Sequence, residues 1–168
     1  MQSLIELSDR TRTLKRNELL KSAGSTDRCA YYVESGSLQV FIIDGGEERT
    51  VRFGYTGNLI TALDSFMNGR PSDLMIRAVK KTTVKIIAKK SIDAFLEQEE
   101  NKGMWISVLE DLAVQQLERE IDLHTRSPKA RYLRVRARSP RLFQEIPNKY
   151  IANYLRMTPE TLSRLKKS

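Results

Sequence analysis

With one cysteine and one histidine among 168 residues, several functions are removed at the outset. Cys29 alone forms no internal disulfide, and it falls far short of the cysteine set that an iron–sulfur cluster or a structural zinc site needs. It reads as a small buried hydrophobe. His124 is the only imidazole, so a β-barrel metalloenzyme of the cupin kind lacks its ligands. No apolar run reaches the roughly 20 residues of a membrane span. The opening stretch "MQSLIELSDRTRTLKRNELL" likewise lacks the long apolar segment of a signal peptide. No nucleophile–base pair is evident. The expectation is a cytoplasmic non-enzyme without metal, cofactor or membrane association.

What is present is positive charge, unevenly placed. The net charge is +8, yet residues 126–168 hold 12 Lys/Arg against 2 Asp/Glu, which leaves the first 125 residues near neutral. A neutral body with a basic end suggests a polyanionic partner at that end. The bland alternative is a solvated basic surface. At 40% apolar, the chain buries one domain of ordinary size plus a small one.

The first ninety residues alternate like strands. Leu38, Val40 and Ile42 alternate with Ser37, Gln39 and Phe41, and a second run spans Thr50 to Phe53 across an Asp44-Gly45-Gly46 turn. Glu34-Ser35-Gly36 and Thr56-Gly57-Asn58 are further turn signals. In "DLMIRAVKKTTVKIIAKK", Val84, Ile86 and Ala88 share one face of a strand. Short strands with glycine-rich turns predict an antiparallel sandwich or barrel. Ser91 is the expected N-cap of a short helix. A long helix follows over about 101–125, with two apolar stripes. Trp105, Leu109, Leu112 and Gln116 form one, and Ile106, Ala113, Leu117 and Ile121 the other. Two stripes call for two packing partners: the β-domain and a second helix, with burial inside one chain as the alternative.

Ser127-Pro128 restarts the chain as N-cap and first helical residue. Tyr150, Ile151, Tyr154 and Leu155 then give the core face of a helix, three residues intervene, and "MTPETLSRLKKS" opens another. Thr158 is the N-cap, Pro159 the first position, and Glu160, Ser163, Arg164 and Lys167 fall on one face. Two short helices joined this way have the spacing of a helix-turn-helix. About ten residues at 1.5 Å each give roughly 15 Å of helix, enough to lie in a major groove.

A β-rich domain, a long helix and a terminal helix-turn-helix in that order resemble the Crp/Fnr family of bacterial transcription regulators. "IPNKYIANYLRMTPETLSRLKK" carries the likeness most strongly. "AYYVESGSLQVFI" and "GNLITALDSFMNGRPSDLMIRA" are similar to that family's cyclic-nucleotide-binding β-roll. The resemblance implies an α+β chain: a sensor roll over 1–100, a central dimerisation helix over 101–126 and a DNA-binding helix-turn-helix over 127–168. It further implies a homodimer through Trp105, Leu109, Leu112 and Gln116, with double-stranded DNA and RNA polymerase as partners.

The Fnr-like branch carries E-x-x-S-R on its recognition helix, here Glu160, Ser163 and Arg164, which implies a palindrome with TTGA-like half-sites. The chemistry agrees: Arg grips guanine O6 and N7, Glu accepts from cytosine, and Ser contacts either type of edge. The competing uses are a first-turn carboxylate favouring the helix dipole for Glu160 and a phosphate contact for Arg164. Lys149, Arg156, Thr161, Lys166 and Lys167 are the phosphate candidates.

Three departures from the family pattern follow. Arg156 stands in the turn where glycine is usual, and a left-handed arginine there costs on the order of 1 kcal/mol. The sequence ends at Ser168, where many relatives continue into a β-hairpin wing, so the lysines are expected to carry more phosphate binding. In the roll, Thr61-Ala62 and Ser72-Asp73 stand where cyclic-AMP receptors have Gly-Glu and Arg-Ser. A carboxylate at a phosphate position repels it. The candidate effector pocket is therefore Thr61, Ala62, Ser72, Asp73 and Gln116, with cyclic AMP not expected in it. The alternative class is a β-roll adaptor or cupin-like protein without specific DNA binding.

Overall fold

The computed structural model describes residues 2–8 and 10–167, and these divide into two compact units, Met1–Lys102 and Gly103–Ser168. The first unit begins with helix α1 (Gln2–Glu6). Strands β1 (Arg10–Leu14), β2 (Leu19–Lys21), β3 (Cys29–Ser35), β4 (Ser37–Asp44), β5 (Glu47–Tyr55) and β6 (Leu59–Ile60) follow. Helix α2 (Leu63–Asn68), strands β7 (Met75–Ala78) and β8 (Thr82–Ala88) and helix α3 (Lys89–Phe95) complete it. The strands form two antiparallel four-stranded sheets, ordered β1-β8-β3-β6 and β2-β7-β4-β5. The antiparallel sheets agree with the strand pattern, and the mixed α+β roll is the one that the family resemblance implied.

Between the sheets lies a core of Leu14, Tyr31, Val33, Leu38, Val40, Ile60, Ala62, Ile76, Ala78 and Val84. The β4–β5 turn is the shortest one available. Asp44 pairs with Glu47, and Gly45 and Gly46 have φ of 58° and 80°, the left-handed pair that a tight hairpin requires. Gly36 is obligatory for another reason: at φ 89° a Cβ would sit 2.4 Å from the Lys81 carbonyl oxygen.

Three local expectations change. The alternation read in β4 does not survive, because Ser37 through Phe41 are all buried. Leu38 and Val40 face the core. On the opposite face Arg77 stacks 4.6 Å over the Phe41 ring, and its guanidinium donates to Gln39 Oε1 (2.7 Å) and to both Glu48 oxygens (2.7 and 2.6 Å). A second, polar and aromatic layer thus covers the side expected to be wet. The register shifts after Val40, and by Ile43 the side chain is 53% exposed.

Ser91 is not a cap. Helix α3 starts at Lys89 without a side-chain cap, and the Lys89 amide donates to the Arg28 carbonyl (2.8 Å). A strand entering the helix directly and a neighbouring carbonyl together remove the need for one. Cys29 is half-buried rather than buried, since it opens β3 at the edge of the core.

Helix α4 (Glu99–His124) crosses the boundary of the two units. The second unit continues with α5 (Pro128–Arg138), α6 (Leu142–Glu145), α7 (Asn148–Tyr154) and α8 (Pro159–Lys167). Its core is Tyr132, Val135, Leu142, Ile146, Tyr150, Ile151, Ala152, Leu155 and Leu162. Tyr132 meets Phe143 edge to face, with ring centroids 5.5 Å apart. Among the described residues no helix is long and apolar enough to cross a membrane.

Candidate nucleic-acid interface

Helices α7 and α8 form a tight pair, joined through Leu155–Thr158. The end of α7 closes with two backbone bonds: the Arg156 amide donates to Asn153 O and the Met157 amide to Ala152 O, each at 3.0 Å. This is the Schellman arrangement, which places its next-to-last residue in the left-handed region. That residue is Arg156, at φ 50°. The sequence departure from glycine is thus a strained backbone here.

A buried guanidinium holds the turn. Arg131 on α5 is 7% exposed. It donates to Leu155 O (2.6 Å), to Arg156 O (3.2 Å) and to Thr125 O just past the end of α4 (2.6 Å). One cation thereby satisfies carbonyls at the C-terminal ends of two helices, where such groups otherwise lack partners. Arg156→Gly should relieve the left-handed strain and raise stability by about 1 kcal/mol. Urea unfolding would check it, and a loss of stability would mean that the arginine side chain itself holds the turn.

Helix α8 starts as its sequence indicates. Thr158 Oγ1 accepts from the Thr161 amide (3.2 Å), and the Leu162 amide donates to Thr158 O (3.0 Å). Leu162 is fully buried, whereas Glu160, Ser163, Arg164 and Lys167 are exposed on the opposite side. The three base-reading candidates therefore stand together on one open helix face. Hydrogen bonds from its own backbone N–H and from the Thr158 hydroxyl hold the Glu160 carboxyl below the usual range. It is an ionised acceptor, folded onto its own first turn in the free chain.

The phosphate candidates separate. Lys167 and Arg156 are exposed. Lys149 projects from α7 with its ammonium 4.6 Å from the Tyr150 ring centroid. Thr161 is half-buried, its hydroxyl 3.2 Å from that of Thr158. Lys166 turns back: its ammonium donates to Asn148 Oδ1 (2.5 Å) and ties α8 to the start of α7.

Sequence reasoning missed an ionic cluster between α4 and α5. Asp122 is fully buried and accepts from Arg138 (2.5 and 3.3 Å) and Arg134 (3.3 Å). Glu118 accepts from the same two arginines (2.9 and 3.0 Å). Arg119, 6% exposed, lies 3.6 Å over the Tyr154 ring. Burial lowers its pKa, while Tyr154 and Asp122 oppose the shift. Part of the basic excess after residue 125 is therefore internal. The signal was the spacing of Arg131, Arg134, Val135 and Arg138, one helix face carrying both charge and a core valine.

On α4, Trp105, Leu109 and Leu112 are half-buried and Gln116 is exposed. The open apolar positions are Ile106 (55%), Val114 (61%), Leu117 (58%) and Ile121 (39%), largely the other stripe. In the roll, Ala62 is fully buried and Ser72 is 4% exposed, while Asp73 is exposed. The Thr61 hydroxyl donates to Cys29 O (3.0 Å), and Ser72 Oγ accepts from the Leu74 amide (3.0 Å). Gln116 belongs to the other unit. Buried Asp27 is a further group that the sequence did not mark. It accepts from Tyr31 Oη (2.9 Å) and the Cys29 amide (3.0 Å), and its own amide donates to Ser65 Oγ (2.8 Å). Burial raises its pKa, against those bonds from Tyr31 and Cys29. Among the described residues no group of three or more His, Cys, Asp or Glu is placed to hold a metal ion.

Residues 11–99, more than half of the chain, match the cyclic nucleotide-binding domain family. Solved structures resemble the chain over nearly its whole length. A CooA mutant from Carboxydothermus hydrogenoformans aligns at TM-score 0.74 and 16% identity, covering 98% of this chain and 77% of that one. FixK2 from Bradyrhizobium japonicum aligns at TM-score 0.73 and 16% identity, covering 94% and 82%. The Thermus thermophilus catabolite activator protein aligns at TM-score 0.60 and 18% identity, covering 99% and 80%. No curated protein matches the sequence. With the roll matched in sequence and the order of roll, long helix and helix pair matched in structure, the chain belongs to the cyclic nucleotide-binding domain family and has the fold of the Crp/Fnr regulators.

Proposed function

We propose that this protein is a sequence-specific DNA-binding transcription regulator that reads a palindromic site as a homodimer. One observation carries the reading: Glu160, Ser163 and Arg164 stand exposed on one face of α8, opposite the buried Leu162, at the basic end of the chain. Residues 1–100 serve as the sensor roll, 101–126 as the dimerisation helix and 127–168 as the reading head. Arg164 pairs with a guanine, Glu160 accepts from a cytosine amino group after leaving its own first turn, and Ser163 supports either. Lys149, Arg156, Thr161 and Lys167 approach phosphates, with Lys166 also holding α7 in place. RNA polymerase is the expected further partner, and cyclic AMP is not the effector.

Selection of binding sites from a random duplex pool tests this reading. A two-fold symmetric site, with half-sites about 34 Å apart, is expected. Recovery of no preferred sequence, with binding that ignores salt, would overturn it.

For the dimer seam we take Ile106, Leu117 and Ile121 as the apolar centre, with Trp105, Leu109, Leu112 and Gln116 along its edge. An apolar strip of this kind is seldom left wet on a monomer. Leu117→Glu should convert a dimer to a monomer at micromolar concentration in a sedimentation experiment. A wild-type chain that sediments as a monomer would remove the seam.

A further inference from the structure

At the segment that the family resemblance matches to a phosphate site, the chain holds a positive charge of its own. Lys21, in β2, is 4% exposed, a rare state for a lysine unless its ammonium is fully partnered. Its Nζ donates to Ser22 O (2.9 Å), Ser72 O (2.9 Å) and Leu74 O (2.7 Å). An ammonium has three N–H donors, and here three backbone carbonyls receive them. The segment it grips is Ser72–Leu74, where a cyclic-nucleotide receptor would present its phosphate donors.

Two amides of that segment donate within the chain as well. The Ser72 amide donates to Ser25 O (3.2 Å), the Leu74 amide to Ser72 Oγ (3.0 Å), and Gly24 closes the loop onto Ser72 O (2.9 Å). Carbonyl oxygens thus converge where an anion would need N–H groups. The surrounding charge has the same sense: burial pushes the Lys21 ammonium down, while Asp27, Asp64 and Asp73 pull it back up.

We propose that this place in the roll is an ammonium site rather than a phosphate site, and that Lys21 is its tethered occupant. The polarity of the family's ligand position is inverted. The roll holds its Ser72–Leu74 segment closed without a diffusible effector, and any small molecule that competes there is a primary amine, not a nucleotide. The inference deepens the reading that cyclic AMP is not the effector, and it stands on the first unit alone, independent of DNA binding.

Lys21→Ala removes three carbons and the ammonium, the atoms of n-propylammonium. The variant should lose about 5 °C or more in Tm, as expected when the Ser22, Ser72 and Leu74 carbonyls lose the ammonium and Ser72 O keeps only the Gly24 amide. n-Propylammonium should restore several degrees to this variant and none to wild type, while n-propanol and tetramethylammonium at matched ionic strength restore nothing. No selective rescue by the amine would overturn the ammonium site. Rescue by inorganic phosphate would do the same, because an anion would then be filling the place. Lys21→Met, which keeps the stem and drops the charge, covers the case in which the alanine variant does not fold. Its Ser72 and Gly24 amides should exchange with solvent at least about tenfold faster than in wild type, and unchanged exchange would sink the tether. Cyclic AMP titrated into wild type is a separate arm. Stabilisation there would refute the effector reading, whereas amine rescue without it supports both.

Discussion

Arg131→Met should destabilise the C-terminal unit by about 3 kcal/mol, because three helix-end carbonyls lose a charged donor, the one of Leu155 in a buried place and those of Thr125 and Arg156 in part-buried ones. Against a total stability of roughly 5–15 kcal/mol this is a large fraction. The substitution keeps much of the stem volume, so the loss reports the guanidinium rather than a cavity. Trp105 is the sole tryptophan and lies in this unit, so its fluorescence during urea unfolding follows the transition. Arg131→Lys should recover only part of the loss, since a single ammonium lacks the planar spread that reaches Thr125, Leu155 and Arg156 together. A methionine variant as stable as wild type would show that these bonds contribute nothing net.

Arg164→Ala should weaken binding to the selected DNA site by about 1–3 kcal/mol per reading head, roughly 5- to 150-fold, and relax the preference for guanine at one position. Binding to random duplex should change little. Lys149→Ala should instead weaken all sequences alike and lower the salt dependence by about one ion. Fluorescence anisotropy with both duplexes, at several salt concentrations, separates the two patterns. Equal losses on specific and random DNA for Arg164→Ala would make it a phosphate contact and remove it from base reading. Glu160 gives a subtler result, because its carboxylate is already held by its own helix terminus. Exchanging those bonds for a base edge offsets part of the gain, so its truncation should cost less than that of Arg164.

The sequence alone settled the β4–β5 hairpin, the long helix α4 and the terminal helix pair, and their order along the chain, while the short helices α1, α2 and α6 gave no signal that was read. Turn glycines, the Thr158 cap, Pro159 and the leucine positions of α8 are short-range signals, and a helix end or hairpin is decided within a few residues of itself. Arg156 in a glycine position was legible too, and only the sign of its φ awaited the structure. Tertiary structure decided what each charge does. Arg131, Arg134, Arg138, Lys21 and Lys166 look in sequence like any solvated basic residue, yet each grips a partner within the fold. Their partners lie up to 53 residues away along the chain, as Leu74 does from Lys21. Several are backbone carbonyls, which carry no residue identity. Helical periodicity puts Arg131, Arg134 and Arg138 on the face of the buried Val135, but it does not say which acceptors meet them. Whether a cation is buried depends on acceptors that meet only once the chain has folded, because a charge leaves water only where such partners replace it.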